Sequence, residues 1–178
     1  MTEQTPTPGP APAEHFGRVG EGGTVYLRLP DGTEREVGQY AAGTPEEALH
    51  YYAARYNDLS QSLELTATRL ADNKCSPRDA QAVAGKARHA LEEPAFVGDI
   101  ALLMARIGQL EVLANIRQQI LEEERKQARE QAQQAREAIV TEAEQLSTST
   151  SWKQTGERFR ELVEQWKALP KPSVEQRT

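Results

Sequence analysis

The longest regular pattern of apolar and polar positions in the chain is helical, and it runs from about Asp99 to Leu146. This stretch has no proline and only one glycine, Gly108, so it predicts one unbroken helix of roughly 70 Å at ~1.5 Å per residue. In its first part the apolar residues recur at steps of three and four, the period of a helix buried along one side. The predicted buried stripe, with the residues that widen it, is Ile100, Leu103, Ile107, Leu110, Ala114, Leu113, Ile116 and Ile120.

The same predicted helix changes character at Glu122, where a charged run begins. Its remaining apolar positions are mostly alanines: Ala128, Ala132, Ala135, Ile139, Ala143 and Leu146. An alanine seam lets another helix approach closely but buries little area, and each Å² contributes only ~25 cal/mol. We therefore expect residues 122–146 to leave the core as a helical arm. The charged face of this arm is either a solvated surface or a seam that binds a partner.

Before the long helix, residues 15–43 have the alternating pattern of a small β-meander. Val25, Leu27 and Leu29 share one face of a strand, and a Pro-Asp-Gly turn follows at residues 30–32. Three short strands need a cover for their apolar face. We expect the first helix to supply it, with the face that carries Tyr52 and Tyr56.

Two further helices are predicted between the meander and the long helix. Thr44-Pro45 and Ser76-Pro77 are strong helix starts, each with an acidic residue in the first turn. Helices over residues 45–72, 77–92 and 99–121 should pack as an antiparallel three-helix unit, a helical head over residues 44–121. The inner faces predicted for the first two are Leu49, Tyr52, Tyr56, Leu59, Leu63, Thr66 and Leu70, then Ala80, Val83, Ala84, Ala87 and Leu91.

A short amphipathic helix is predicted after the Ser/Thr-rich break at residues 147–151, giving a return segment over residues 147–169. Both tryptophans of the chain lie on its apolar face, so it has a large area to bury. Because a short link favours antiparallel neighbours, we expect this helix to fold back over Ala128, Ala132, Ala135 and Ile139 as a coiled coil. The competing arrangement is one continuous rod through residue 169 with both tryptophans exposed.

Together these patterns predict a mainly α fold with a small antiparallel β-meander, a three-helix unit, and a long helical arm with an antiparallel coiled-coil return helix. Residues 1–14 contain four prolines among polar residues and are predicted to be a disordered tail. Residues 170–178 form a second, short tail.

The amino-acid composition argues against several classes of protein. Charged residues make up 27% of the 178, and the formal net charge is −6, which argues against a protein built for strong nucleic-acid binding. Cys75 is the only cysteine, so neither an intramolecular disulfide nor a cysteine-based metal site is expected. No apolar run approaches ~20 residues and no secretory signal opens the chain, so we expect a cytoplasmic protein without membrane contact.

The sequence contains no motif that is typical of a catalytic, cofactor-binding or metal-binding site. Its three histidines have no ligand-like spacing, and the glycines at residues 20–23 lie between two strands and lead into no helix. No carboxylate pair can be assigned to acid/base work from spacing. We therefore expect no catalytic, cofactor or metal site, and a protein that is not an enzyme.

The return helix carries a motif that resembles a known family. Trp152-Lys153, Gly156, Phe159-Arg160, Leu162 and Trp166-Lys167 are similar to the repeat of the bacterial domain of unknown function 349 family. The segments at residues 16–19 and 23–26 also resemble the amino-terminal region of longer members. The resemblance implies a helical repeat architecture and no established activity. Family repeats usually continue into a second aromatic-rich helix, so the chain is either the amino-terminal part of a longer member or a short member.

These observations favour a non-enzymatic helical scaffold or adaptor that acts through protein–protein contacts, or through self-association, on the coiled-coil arm. The predicted partner-binding residues are Trp152, Lys153, Gly156, Phe159, Arg160, Leu162, Trp166 and Lys167. Their three cations are spaced seven residues apart and form a basic stripe of Lys153, Arg160 and Lys167. Three glutamates lie between these cations along the helix, namely Glu157, Glu161 and Glu164. The alternative function is a ribosome- or RNA-associated regulatory factor that uses this stripe to bind phosphate.

Overall fold

The computed structural model describes residues 11–148 and 152–170, and for Trp152 and Lys153 it describes the backbone alone. Over these residues the fold is mainly α, as predicted, with a small three-stranded sheet. Two compact units divide the chain, Met1–Arg117 and Gln118–Thr178. The strands are β1 (Gly17–Val19), β2 (Thr24–Arg28) and β3 (Glu34–Gln39), and the helices are α1 (Pro45–Ala71), α2 (Pro77–Glu92), α3 (Ile100–Ser147) and α4 (Trp152–Ala168).

The sheet of the first unit is the predicted meander, antiparallel in the order β1-β2-β3. Val25 and Leu27 alternate along β2 and are fully buried, whereas Leu29, just past the strand, is only half-buried. Val25 packs with Ala48 and Tyr52 of α1, so the first helix covers the sheet as expected.

The prediction that both Tyr52 and Tyr56 meet the sheet is wrong for Tyr56. That ring lies one turn further along α1, in the helical core, with its centroid 6.0 Å from that of Phe96. The cause is the linker between α2 and α3, which the backbone N–H of Val97 anchors to the carbonyl of Tyr52 at 3.1 Å. The linker thereby places Phe96 and Gly98 against Tyr56.

N-capping side chains explain where the first three helices begin. Thr44 and Ser76 each form a complete capping box with the acid three residues later, and each is followed by proline at the first helical position. Asp99 accepts from the backbone N–H of Leu102 at 2.9 Å and caps α3. The buried core of the three helices includes Leu63, Leu70, Ala80, Ala84, Ala87, Leu103, Ile107, Leu110 and Ala114.

Part of the predicted stripe on α3 is wrong, because Leu113 and Ile116 are exposed rather than buried. The buried residues of α3 in this unit all lie within one face of the helix. Leu113 and Ile116 lie about 100° or more around the axis from Ala114 at ~100° per residue, outside the side that α1 and α2 cover. In the second unit, Ile120 is exposed as well.

In the second unit, α4 folds back antiparallel along the end of α3, as predicted. Arg158 near the start of α4 contacts Glu142, while Arg136, further back along α3, donates to the carbonyl of Pro170. Two contacts that run in opposite directions along the two helices require an antiparallel arrangement. The continuous rod through residue 169 is therefore wrong.

The alanine seam is covered over part of its length. Ala132 is buried, and Ala135 and Ile139 are half-buried. Ala128 is exposed, contrary to the prediction, because α4 ends at Ala168 and the next contact with α3, from Pro170, reaches only Arg136. That position is two helical turns short of Ala128.

Some predictions fall on residues that the structure does not describe. Residues 1–10 of the predicted tail, most of the Ser/Thr-rich link, residues 171–178 and the side chains of Trp152 and Lys153 lie outside the described set. Of the tail's described residues, Ala13 begins the short 3-10 turn Ala13–Phe16 and is buried in the helical core cluster. Each helix within the described ranges is too short or too polar to cross a membrane.

Candidate functional site

The carboxyl-terminal helix α4 has an inner face that is already used. Leu162 is only 2% exposed, and Phe159 and Leu169 are half-buried on the same side. Their spacing of three and seven puts them on one stripe of the helix. This face docks α4 on α3, so Leu162, although predicted to bind a partner, is a structural residue of the helix pair.

An ion pair borders the inner face and joins the two helices. The Nε and Nη2 atoms of Arg158 lie 2.5 and 3.0 Å from the two carboxylate oxygens of Glu142, and Nη1 lies 2.7 Å from Glu161. The hydrogen bonds from Arg158 hold the pKa of Glu142 below its usual value, and they raise the pKa of Arg158 in turn. Sequence reasoning missed Arg158, because a charge that pairs across two helices has no local pattern.

The outer face of α4 carries a second stripe, made of Gly156, Arg160, Val163 and Lys167. Steps of four, three and four residues align them along one side of the helix. All four are exposed, and Val163 is 48% exposed despite its apolar side chain. Sequence reasoning missed Val163, although its position seven residues after Gly156 is the signal that could have found it.

Gly156 leaves the helix backbone open at one point of this outer stripe. A Cβ built on it meets no other atom within 4 Å, so packing in this conformation does not require a glycine there. Glycine inside a helix costs about 1 kcal/mol relative to alanine. The residue gives α4 a place where a second backbone can approach closely, at the expense of helix stability.

The charges of the outer stripe are mixed and only partly paired. Lys167 Nζ lies 2.8 Å from Glu164 of the same helix, whereas Arg160 forms no ion pair or hydrogen bond with any described residue. Glu157 and Glu164 lie along one flank of the stripe at helical spacing. The basic stripe predicted from Lys153, Arg160 and Lys167 therefore has one cation without a described partner, one paired cation and one whose side chain lies outside the described set.

An aromatic edge borders the other flank of the outer stripe. Trp166 is 45% exposed, and Phe159 lies two turns before it on the same edge and is half-buried. Trp152, the third aromatic residue of the motif, has no described side chain. The structure thus brings Gly156, Arg160, Trp166 and Lys167 of the predicted set onto one accessible surface.

The first unit also has a cleft between residues of α1 and α3. It encloses about 410 Å³ and is lined by Tyr56, Ser60, Glu64 and Arg106, among others. The guanidinium of Arg106 donates to the Ser60 hydroxyl and lies 2.6 Å from Glu64, so its charge is already satisfied. Burial raises the pKa of the Tyr56 hydroxyl, which keeps it a neutral phenol. No activated nucleophile or base results from this arrangement.

The described residues hold no cluster of three or more metal-ligating side chains. Cys75 is half-buried, with its Sγ 3.8 Å from the carbonyl of Thr66. The surface of the second unit has the features of a binding surface: exposed apolar area, an open helix backbone at Gly156 and charges of both signs.

Comparison with known proteins bears on the same region. Neither the curated proteins nor the solved structures gave a match to this chain. The family model described as Domain of Unknown Function (DUF349) matches residues 112–173, about a third of the chain. That span contains all of α4 and the part of α3 on which it packs. The match over residues 112–173 confirms the resemblance to the domain of unknown function 349 family that the motif on α4 predicted.

Proposed function

We propose that this protein is a non-enzymatic adaptor that binds another protein through the outer face of α4. The observation that carries the proposal is the pair of faces on this one helix. The inner face buries Leu162 against α3, yet the outer face still presents Val163 and Trp166 about half-exposed. A short surface helix whose only role is to pack on its neighbour does not need a second apolar face.

The composition of the outer face suits a helical protein partner. Residues at steps of four, three and four present a straight ridge, and Gly156 offers a groove in which a second helix could lie close. Tryptophan and arginine are enriched among the few residues that contribute most of the binding energy in protein interfaces, and here Trp166 and Arg160 are both accessible. We take the paired α3–α4 segment to act as a two-stranded antiparallel coiled coil in a bacterial cytoplasm. The cytoplasm is a reducing compartment, in which a single free thiol such as Cys75 stays reduced.

Photo-crosslinking in cells of the source organism tests this proposal. A photoreactive phenylalanine derivative replaces Val163, and a matched variant carries it at Arg78, which is exposed on α2 and has no ion-pair partner among the described residues. We expect protein adducts from position 163 and none from position 78. Equal labelling from both positions, or no adduct at position 163, would overturn the proposal.

The second candidate function is an RNA-associated role. One observation favours it: Arg160 has no partner among the described residues, and Trp166 beyond it exposes a ring on which a base could stack. Salt-dependent RNA binding that disappears in the triple variant Lys153→Ala, Arg160→Ala, Lys167→Ala would support this role. Glu157, Glu161 and Glu164 on the same helix oppose it, as does the net charge of −6.

A further inference from the structure

We infer that the outer face of α4 binds the same face of a second copy of this chain, with the two α4 helices antiparallel. This inference rests on the proposed function and names its partner. A face that pairs with itself must be complementary to itself under a twofold rotation. The charges along α4 meet that condition.

The charges along α4 are self-complementary in an antiparallel pair whose twofold axis passes at the level of Leu162 along the helix. In an antiparallel pair centred there, each position faces the one equally far from Leu162 on the other side. Arg160 then faces Glu164 of the second copy, two residues from the centre, and Glu157 faces Lys167, five residues from it. The twofold axis generates each contact twice, so opposite charges meet in all four places. A parallel pair in register would instead place every one of these charges opposite its own copy.

The two flanks of the outer stripe agree with this arrangement. A twofold axis that lies in the interface and crosses the helices brings each flank against the same flank of the other copy. The acidic flank of Glu157 and Glu164 therefore meets the Arg160 and Lys167 that border it. On the opposite flank, Trp166 comes close to Phe159 of the second copy, so the exposed aromatic edge is covered.

The open backbone at Gly156 and the existing ion pairs of α4 are also compatible with the antiparallel pairing. No described atom lies near a Cβ built at Gly156, so the second helix can approach there without a clash. Arg160 has no described partner to give up, and Lys167 exchanges an exposed pair with Glu164 for a pair across the interface. A helix of 17 residues is only ~25 Å long, so the interface falls below the ~1,200 Å² of stable complexes. The self-association should be weak and reversible.

Sedimentation equilibrium of the full chain over a hundredfold range of concentration tests the inference. Arg160→Glu sets a carboxylate against Glu164 of the second copy, and Glu164→Arg sets two guanidinium groups together at the same contact. Each variant alone should dimerise at least about tenfold more weakly than the native chain. An equal mixture of the two variants restores opposite charges at every contact, so it should dimerise about as tightly as the native chain. Arg78→Glu, with the same change in charge as Arg160→Glu, should have no effect.

The rescue in the mixture is the decisive result, because no effect within one helix can be repaired by mixing two proteins. Far-UV circular dichroism confirms that each variant keeps its helices. As an independent measurement, Val163→Cys in a Cys75→Ser background should form an interchain disulfide on oxidation, whereas Arg78→Cys in the same background should not.

A native chain that stays monomeric throughout, or variants whose mixture shows no rescue, would overturn self-association. The cellular crosslinks separate this failure from that of the proposed function. An adduct at position 163 with twice the 19.8 kDa mass of the chain supports the second copy as partner. Adducts only with a different protein would overturn self-association and leave the adaptor function standing.

Discussion

Arg158 donates hydrogen bonds from two nitrogens to the two carboxylate oxygens of Glu142, across the helix pair of the second unit. A bidentate pair of this kind fixes the rotation of one helix against the other as well as their distance, since the guanidinium and the carboxylate must be coplanar. The ion pair therefore supports the orientation in which the face of α4 that carries the buried Leu162 lies against α3. In that orientation Val163 and Arg160 remain on the outside.

The Glu142 carboxyl should titrate below the usual range, and Arg158→Lys should raise its pKa back toward that range. Because the folded pKa of Glu142 is lowered, its contribution to stability is present above the unfolded value of about 4.3 and is lost as the pH falls through the folded value. NMR titration of the Glu142 carboxyl carbon measures the shift directly. Glu144→Gln, an exposed change on the same helix, should leave that titration unaltered. An ordinary pKa for Glu142 in the native chain would contradict the pairing.

Neighbouring substitutions on α4 should differ sharply in cost. Leu162→Ala removes a buried side chain and should lower the free energy of unfolding of the second unit by about 2–5 kcal/mol. Val163→Ala, one residue on, should change it by less than about 0.5 kcal/mol, because that side chain is exposed. Urea denaturation followed by tryptophan fluorescence reports on this unit alone, since both tryptophans lie in α4. Equal costs at the two positions would contradict the assignment of inner and outer faces.

In the first unit, Leu27→Ala should lower the free energy of unfolding by about 2–5 kcal/mol, because the Leu27 side chain of β2 is fully buried. Leu29→Ala is the matched control, and its cost should be smaller because Leu29 is only half-buried. Thermal unfolding followed by circular dichroism measures both. A melting temperature that Leu27→Ala leaves unchanged would mean that the meander adds nothing to the stability of the helices.

Glycines of opposite environment should respond to alanine with opposite signs. Gly156→Ala fills open space and should stabilise α4 by up to about 1 kcal/mol. Gly98→Ala places a Cβ against the ring of Tyr56 and should destabilise the first unit by about 1–3 kcal/mol. Denaturant titration of each variant distinguishes them. If Gly156→Ala were destabilising, a contact that the described residues do not show would have to lie over Gly156.

The sequence predicted the features that depend on neighbours along the chain. Capping boxes at Thr44 and Ser76 are local, so the starts of α1 and α2 were correct to the residue. Alternation in β2 is also local, and it identified Val25 and Leu27 as buried. The family motif located α4 and, with it, most of the candidate surface.

The features it did not predict depend on how many elements surround a residue. Leu113 and Ile116 continue from Leu110 in steps of three residues, which move them around the helix axis and away from the covered side of α3, so both are exposed. Tyr56 changes its neighbours because the α2–α3 linker crosses α1 at that turn. On α4, Leu162 and Val163 are adjacent apolar residues in the sequence, and the structure shows that they lie on different faces, since Leu162 is buried and Val163 is exposed.

The α2–α3 linker has a consequence for how the first unit folds. Its consecutive residues Phe96 and Val97 are buried in different hydrophobic clusters, Phe96 in that of the helices and Val97 in that of the sheet. Opening the sheet alone would expose Val97 and pull on Phe96, so we expect neither cluster to unfold while the other stays intact. The two should therefore behave as one cooperative unit, in which amide hydrogens of Tyr26 in β2 and Ile107 in α3 exchange with solvent through the same global opening.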